Sequence, residues 1–144
     1  MDTFKRDLLI GESIEYQVLE DIKVHYPEAY KVVGKESRWD IFIPELNKGI
    51  EVKYDKMSEV TGNIVIELEF NGKPSALSTT QSYLWVIVTP SKWIFIRPEA
   101  IRELLDVHKV PTRKFIGKGD TKSKIAHLVP VKLFNKFAIE VRII

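Results

Sequence analysis

The feature that most constrains the fold is a run of five apolar residues, Leu84-Trp85-Val86-Ile87-Val88. Successive side chains of a strand point to opposite faces of the sheet, so a run without a polar residue predicts a strand covered on both faces. Pro90 and Ser91 follow with turn chemistry, and Trp93-Ile94-Phe95-Ile96 predicts another strand directly after them. The run therefore predicts a buried central strand.

A helix is predicted in front of these strands. Ile14, Val18 and Ile22 recur at positions i, i+4 and i+8, which is the spacing of one helix face. The predicted helix covers residues 11–25, and Pro27 ends it.

The remaining segments alternate between strand-like and helix-like patterns. Further strands are predicted over residues 30–33, 39–43, 49–54, 64–70 and 127–131, helices over about 78–83, 98–107 and 133–138, and a basic loop over 108–126. No internal repeat or linker interrupts the 144 residues. This pattern predicts a single α/β domain over residues 1–144, with a core over about 10–97 and a basic C-terminal extension over 98–144.

Composition excludes several kinds of site. The chain has no cysteine, which excludes disulfides, thiolate nucleophiles and cysteine zinc sites, and its three histidines do not have zinc-ligand spacing. The N-terminus does not resemble a signal peptide, and no segment approaches the roughly 20 apolar residues of a membrane span. The sequence therefore predicts no membrane association and a cytoplasmic location.

Charge is distributed unevenly along the chain. Residues 1–91 carry a net charge of −5, and residues 92–144 carry +7. An acidic part beside a basic part suits a carboxylate metal site next to a phosphate-binding surface, although charged loops can also differ by chance.

The two predicted strands around Pro44 carry the side chains that can bind metal and take part in catalysis. Pro44 to Lys48 has turn chemistry, so a hairpin would bring Asp40 beside Glu51. Glu51 and Lys53 are two residues apart on one strand and point the same way. Converging carboxylates repel each other, and Mg²⁺ relieves that repulsion because it prefers oxygen ligands.

Such a constellation can support phosphodiester hydrolysis. A metal held by Asp40 and Glu51, with the carbonyl of Val52 as a further ligand, can activate water and offset phosphate charge. Lys53 can orient the water or neutralise the phosphate. The alternative interpretation is a solvated hairpin with cross-strand ion pairs.

The spacing resembles the PD-(D/E)XK nuclease superfamily, which includes restriction endonucleases, Holliday-junction resolvases and phage nucleases. Its signature is an aspartate on one strand followed by Glu-x-Lys on the partner strand, here Asp40 and Glu51-Val52-Lys53. Trp39 stands where a proline often precedes the aspartate. The resemblance covers roughly residues 10–90 and implies a restriction-endonuclease-like α/β core, in which a mixed central sheet is flanked by helices.

The same resemblance implies further site residues. An additional acidic ligand on the first helix is assigned to Glu15, which follows Gly11 at resolvase-like spacing, with Glu12 as the alternative. Gln81 is the candidate for a basic or amide side chain that approaches the site. Independently of the resemblance, the basic second part of the chain predicts the DNA-binding residues Arg113, Lys114, Lys118, Lys122 and Lys124.

The implied function is a Mg²⁺-dependent DNA endonuclease, with Mn²⁺ as a substitute metal and junctions or branched DNA as possible substrates. Two alternatives stay open at this point: a sequence-specific homing or restriction enzyme, and a catalytically silent DNA-binding module. A single site cuts one strand, so cleavage of both strands predicts a homodimer or a higher symmetric oligomer.

Overall fold

The computed structural model describes residues 3–34, 38–116 and 121–144. Within these ranges, three α-helices and ten strands follow one another in the order α1 (Thr3–Lys23), β1 (Tyr30–Lys31), β2 (Ile41–Ile43), β3 (Lys48–Tyr54), α2 (Ser58–Thr61), β4 (Asn63–Phe70), β5 (Lys73–Pro74), β6 (Leu84–Val88), β7 (Lys92–Ile96), α3 (Pro98–Val107), β8 (Thr112–Ile116), β9 (Ser123–Pro130) and β10 (Glu140–Ile143). Of the helices in these described ranges, none is long and apolar enough to cross a membrane.

The central sheet has six strands in the order β1-β2-β3-β6-β7-β10. Strands β3 and β6 are parallel, and the other pairs are antiparallel. The prediction of an α/β fold with a mixed central sheet is therefore confirmed, and β6 lies inside the sheet as the apolar run indicated.

Two apolar layers cover this sheet. Val86 and Val88 pack towards α1, in a cluster that includes Ile14 and Val18. Trp85 and Ile87 belong to the cluster on the opposite face, which includes residues of α3 and of the strands of a second sheet. This division explains why no position of β6 carries a polar side chain.

The second sheet corrects the prediction for residues 108–126. Its four strands lie in the order β5-β4-β9-β8 and are antiparallel, so nine of the fifteen described residues of the predicted basic loop are in strands. The predicted C-terminal extension contributes two strands to this sheet and β10 to the central sheet.

Two helix predictions also need correction. Helix α1 begins at Thr3 and not at Gly11. Its added turns include Leu8, Leu9 and Ile10, whose side chains are exposed and so extend no buried face that the apolar periodicity could reveal. The helix predicted over residues 78–83 is a 3-10 turn at Ala76–Ser78 followed by irregular chain. Helix α3 begins at Pro98, as predicted, because the fixed φ of proline suits a first helical turn.

The β2–β3 hairpin is confirmed. Ile41 pairs with Ile50, and Ile43 pairs with Lys48. The turn closes through Asn47, which takes a positive φ of 53°. Asparagine tolerates this conformation better than most residues do. The hairpin register brings Asp40 opposite Glu51.

Candidate active site

Asp40 lies just before β2 and is fixed by three hydrogen bonds. Its N–H donates to the carbonyl of Ile50 at 3.0 Å, and its carbonyl accepts from Val32 N–H at 2.8 Å. Its side-chain Oδ2 accepts from the N–H of Val52 at 2.7 Å. One carboxylate oxygen therefore anchors the side chain to β3.

Glu51 and Lys53 share the face of β3 that points away from α1. Ile50 and Val52 occupy the other face and pack in the α1 cluster. Lys53 Nζ lies 3.4 Å from Glu51 Oε2 and 5.5 Å from the centroid of the Trp85 ring. The buried Trp85 side chain therefore supports the lysine from below, while the lysine side chain remains 44% exposed.

Glu51 is a buried acid with an unsatisfied oxygen. Its side chain is 18% exposed, and within the described residues Oε2 has no hydrogen-bond partner, because Lys53 is at ion-pair distance without hydrogen-bond geometry. Burial is the main cause that raises the pKa of this carboxyl; Lys53 lowers it, and Asp40 raises it again. Without metal, Glu51 therefore holds a proton more tightly than an exposed glutamate does.

Glu15 of α1 lies next to Asp40, whereas Glu12 one turn earlier is exposed. Burial, and after it the Asp40 carboxylate, raises the pKa of Glu15. Glu15 Oε2 also pairs with Lys31 Nζ at 3.2 Å, and this ammonium lies 5.2 Å from the ring of Tyr16. Glu15 is therefore the helix carboxylate that adjoins the site.

A cavity of about 210 Å³ adjoins Glu51 and Lys53. Its other lining residues include Arg38, Thr80 and Gln81, and Thr80 Oγ1 accepts from the Trp85 indole N–H at 3.0 Å. A lining that contains two cations, an amide and hydroxyl groups suits an anionic ligand beside the buried carboxylate. This cavity is called the Glu51 cavity below.

The donors at this site fit a hard divalent cation. Oε2 of Glu51 is buried and has no hydrogen-bond partner among the described residues, and the Asp40 carboxylate lies close to it. Val52 directs its N–H to Asp40, and since both backbone groups of a strand residue point to the same side, its carbonyl faces that side as well. Among the described residues, no three carboxylate or imidazole side chains are placed together to hold a metal ion, and this applies to Glu15, Asp40 and Glu51 as well.

The predicted DNA-binding residues separate into two groups. Lys122 and Lys124 lie together, each with Nζ 5.8 Å from the centroid of the Phe70 ring. Arg113 and Lys114 are exposed neighbours on β8, so they point to opposite faces of the second sheet. Lys118 lies outside the described residues.

Sequence reasoning missed Arg38 and Lys31. Arg38 lines the Glu51 cavity, and Lys31 pairs with Glu15. A basic residue two positions before Asp40 was a usable signal for Arg38. Lys31 gave no such signal, because its partner lies on another element and the pairing depends on the tertiary fold.

Comparisons of this protein with family models, with curated proteins and with solved structures found no match. The resemblance to PD-(D/E)XK nucleases therefore stays a prediction that is carried by Asp40, Glu51 and Lys53.

Proposed function

We propose that this protein is a metal-dependent endonuclease that hydrolyses phosphodiester bonds of DNA and has a restriction-endonuclease-like core. The observation that carries the proposal is the buried Oε2 of Glu51. This atom has no hydrogen-bond partner among the described residues, and it lies beside Asp40 and Lys53 at the wall of a polar cavity. A buried carboxylate without a full set of partners destabilises the folded chain, so its presence suits a cation that binds there.

Mg²⁺ would be held by Asp40, Glu51 and the carbonyl of Val52, with Glu15 adjoining them, and Mn²⁺ would substitute for it. When bound, the metal supplies positive charge that offsets the phosphate oxygens and lowers the pKa of water.

The protein's own cations do the remaining work. Lys53 stands above Trp85 with its ammonium beside Glu51, where it can hold an attacking water or a phosphate oxygen. Arg38 and Gln81 line the same cavity and can donate to the other phosphate oxygens. These donors would fix the phosphate in place for attack.

The test is nicking of a supercoiled plasmid in Mg²⁺, in Mn²⁺ and in EDTA, with Asp40→Asn as the main variant. Asparagine retains an acceptor for Val52 N–H, so the fold should survive, whereas Asp40→Ala should cost about 1–3 kcal/mol of stability. We expect nicking in both metals, and Asp40→Asn at the level of the EDTA control. Glu69→Gln removes a carboxylate from β4 and serves as the control that keeps full activity. Mg²⁺-dependent nicking by Asp40→Asn at the unsubstituted rate would contradict the proposal.

The substrate class is tested by comparing a four-way junction with a linear duplex of the same sequence. Preference for the junction supports a structure-selective enzyme, and cleavage at one duplex sequence supports the homing or restriction alternative. Binding without cleavage in any metal would leave the silent DNA-binding module. The expected product ends are 5′-phosphate and 3′-hydroxyl.

Lys122 and Lys124 remain the best described candidates for DNA contacts on the second sheet. Changing both to alanine should reduce the log–log salt dependence of duplex binding by up to about 2, if each contacts one phosphate. The measurement uses Ca²⁺ in place of Mg²⁺ so that the DNA stays uncut. An unchanged slope would show that these lysines are merely solvated.

Cleavage of both strands would require two copies of the site, so the proposal includes a homodimer or a higher symmetric oligomer. Light scattering across a concentration series, with and without a junction substrate, measures the number of copies. A monomer that nevertheless cuts both strands of a duplex simultaneously would contradict this part.

A further inference from the structure

A second cavity of about 270 Å³ lies beside the Glu51 cavity, between the β2–β3 turn and the start of α3. Lys48, Ser82, Tyr83 and Arg97 contribute to its lining. Gln81 lines both cavities, so the two are neighbours on one surface. This cavity is called the Arg97 cavity below.

Two cations of the Arg97 cavity share one aromatic ring. The Arg97 guanidinium carbon lies 3.8 Å from the centroid of the Tyr83 ring, and Lys48 Nζ lies 5.1 Å from it. Like charges held around one ring repel each other, and an anion between them would relieve that repulsion. Glu99 pairs with Arg97 at 3.2 Å, but its side chain is 66% exposed. Such an exposed pair contributes little and can be exchanged for a ligand.

Two buried hydrogen-bonding groups of this cavity have no partner among the described residues. They are Ser82 Oγ, on a residue that is 5% exposed, and Arg97 Nε. A buried polar group without a partner costs about 1–3 kcal/mol. Because Arg97 Nε–H is a donor and the serine hydroxyl can be one, a ligand rich in acceptors would satisfy both.

The first turn of α3 adds to the attraction for an anion. Arg97 is the N-cap residue of this ten-residue helix, and no side chain caps its free N–H groups. Unpaired N–H groups and the helix dipole favour negative charge at this end. Together with Lys48, Arg97 and Ser82, they match a tetrahedral oxyanion with several acceptor oxygens.

We propose that the Arg97 cavity is a phosphate subsite, which holds a backbone phosphate of the nucleic acid next to the phosphate in the Glu51 cavity. The inference rests on the proposed function, since it takes the nucleic acid as the source of the phosphate. Lys48 and Arg97 would bind the same phosphate, and Ser82 would donate to it. The subsite would fix the direction in which the nucleic-acid backbone enters the active site.

The first experiment is an NMR titration of the full chain with inorganic phosphate. Binding is monitored through the ¹⁵N–¹H resonance of Arg97 Nε. We expect a saturable shift in phosphate and none in chloride at equal ionic strength. Lys48→Met and Ser82→Ala should each weaken phosphate binding, whereas Lys23→Met, which removes an exposed lysine of α1, should not. The absence of a saturable shift, or equal affinity in all three variants, would overturn the subsite.

The second experiment uses labelled duplex DNA in Ca²⁺ and measures the salt dependence of binding. Lys48→Met keeps one cation at the site, Arg97→Lys keeps both positive charges, and the double variant Lys48→Met/Arg97→Met removes both. If both residues bind one phosphate, the double variant should reduce the slope by about 0.9 in total. A reduction near twice that value would place the two cations on separate phosphates and overturn the proposal, as would an unchanged slope.

The two proposals fail in different ways. Saturable phosphate binding in a protein that never nicks DNA would support the phosphate subsite and reject the proposed nuclease activity. Normal nicking, together with an unchanged salt dependence of DNA binding in the double variant, would reject the subsite and support the nuclease activity. Arg97→Lys checks folding, because it keeps the charge near Tyr83 while removing the Nε donor.

Discussion

Replacement of Glu51 by glutamine separates the cost of a buried charge from its use in binding metal. Glutamine has nearly the same shape as glutamate, but it stays neutral at every pH. The Lys53 side chain loses its partner, yet it is 44% exposed and remains hydrated. We therefore expect Glu51→Gln to be more stable than the unsubstituted protein at neutral pH when no metal is present.

The pH dependence has a definite sign. Burial raises the pKa of Glu51 in the folded chain, so the folded state binds a proton more tightly than the unfolded state. Its favourable contribution is complete below the ordinary glutamate pKa and is lost as the pH rises through the raised folded value. The advantage of Glu51→Gln should thus be largest above the raised pKa and should vanish in acid.

Bound metal should make the unsubstituted protein more stable than Glu51→Gln, which reverses their order of stability. A ligand at about 100 times its dissociation constant stabilises the folded state by about 2.7 kcal/mol. Unfolding entropy of about 2.1 cal/mol/K per residue gives about 0.3 kcal/mol/K for 144 residues. The expected rise in Tm is therefore about 9 °C for the unsubstituted protein, and close to zero for Glu51→Gln.

The assay is thermal unfolding across a pH series, with EDTA or with Mg²⁺. Glu69→Gln is the matched control, since it removes a half-buried strand glutamate from the other sheet. It should keep the full metal-induced rise. If Glu51→Gln is less stable than the unsubstituted protein without metal, the buried carboxylate is satisfied internally and the reasoning fails. An equal metal-induced rise in both proteins would exclude Glu51 as a ligand.

Other substitutions test the neighbouring residues. Lys53→Ala should lose nicking activity but keep the metal-induced rise in Tm, because its ammonium acts on water or phosphate; loss of both would make it a structural residue. Glu15→Gln should lose part of the activity and recover it at higher Mg²⁺, whereas Glu12→Gln should behave normally in the same titration. Gly49→Ala should cost about 1–3 kcal/mol in denaturant unfolding, since a Cβ there would collide with the Trp39 ring; unchanged stability would show that the ring moves freely.

The parts of the fold that the sequence predicts correctly depend on local patterns. The β2–β3 hairpin follows from its turn and from alternation between apolar and charged residues. Strands β6 and β7 follow from apolar runs separated by Pro90, and α3 follows from Pro98 at its first position. In each case neighbouring residues contain the signal, so no tertiary contact is needed to find it.

The parts that the sequence misses depend on distant partners. Strand β9 pairs with β4, about sixty residues earlier in the chain, and β8 then adds to its edge. The exposed residues of β8 show little apolar alternation, so the segment resembled a loop. The same limit applies to the Arg97 cavity, where Lys48 from the hairpin meets Arg97 from the start of α3 through the ring of Tyr83.

The contribution of a cation to substrate binding depends more on its position in the fold than on the net charge of its segment. Charges on a protein surface are screened over about 8–10 Å in physiological salt, so a lysine acts on the phosphates within its reach. Three of the four cations that line the two cavities, Arg38, Lys48 and Lys53, come from the part of the chain with net charge −5, and Arg97 comes from the basic part. Affinity for the phosphates next to the scissile bond should therefore depend on these four residues. The excess basic residues on the second sheet should contribute to the binding of more distant phosphates.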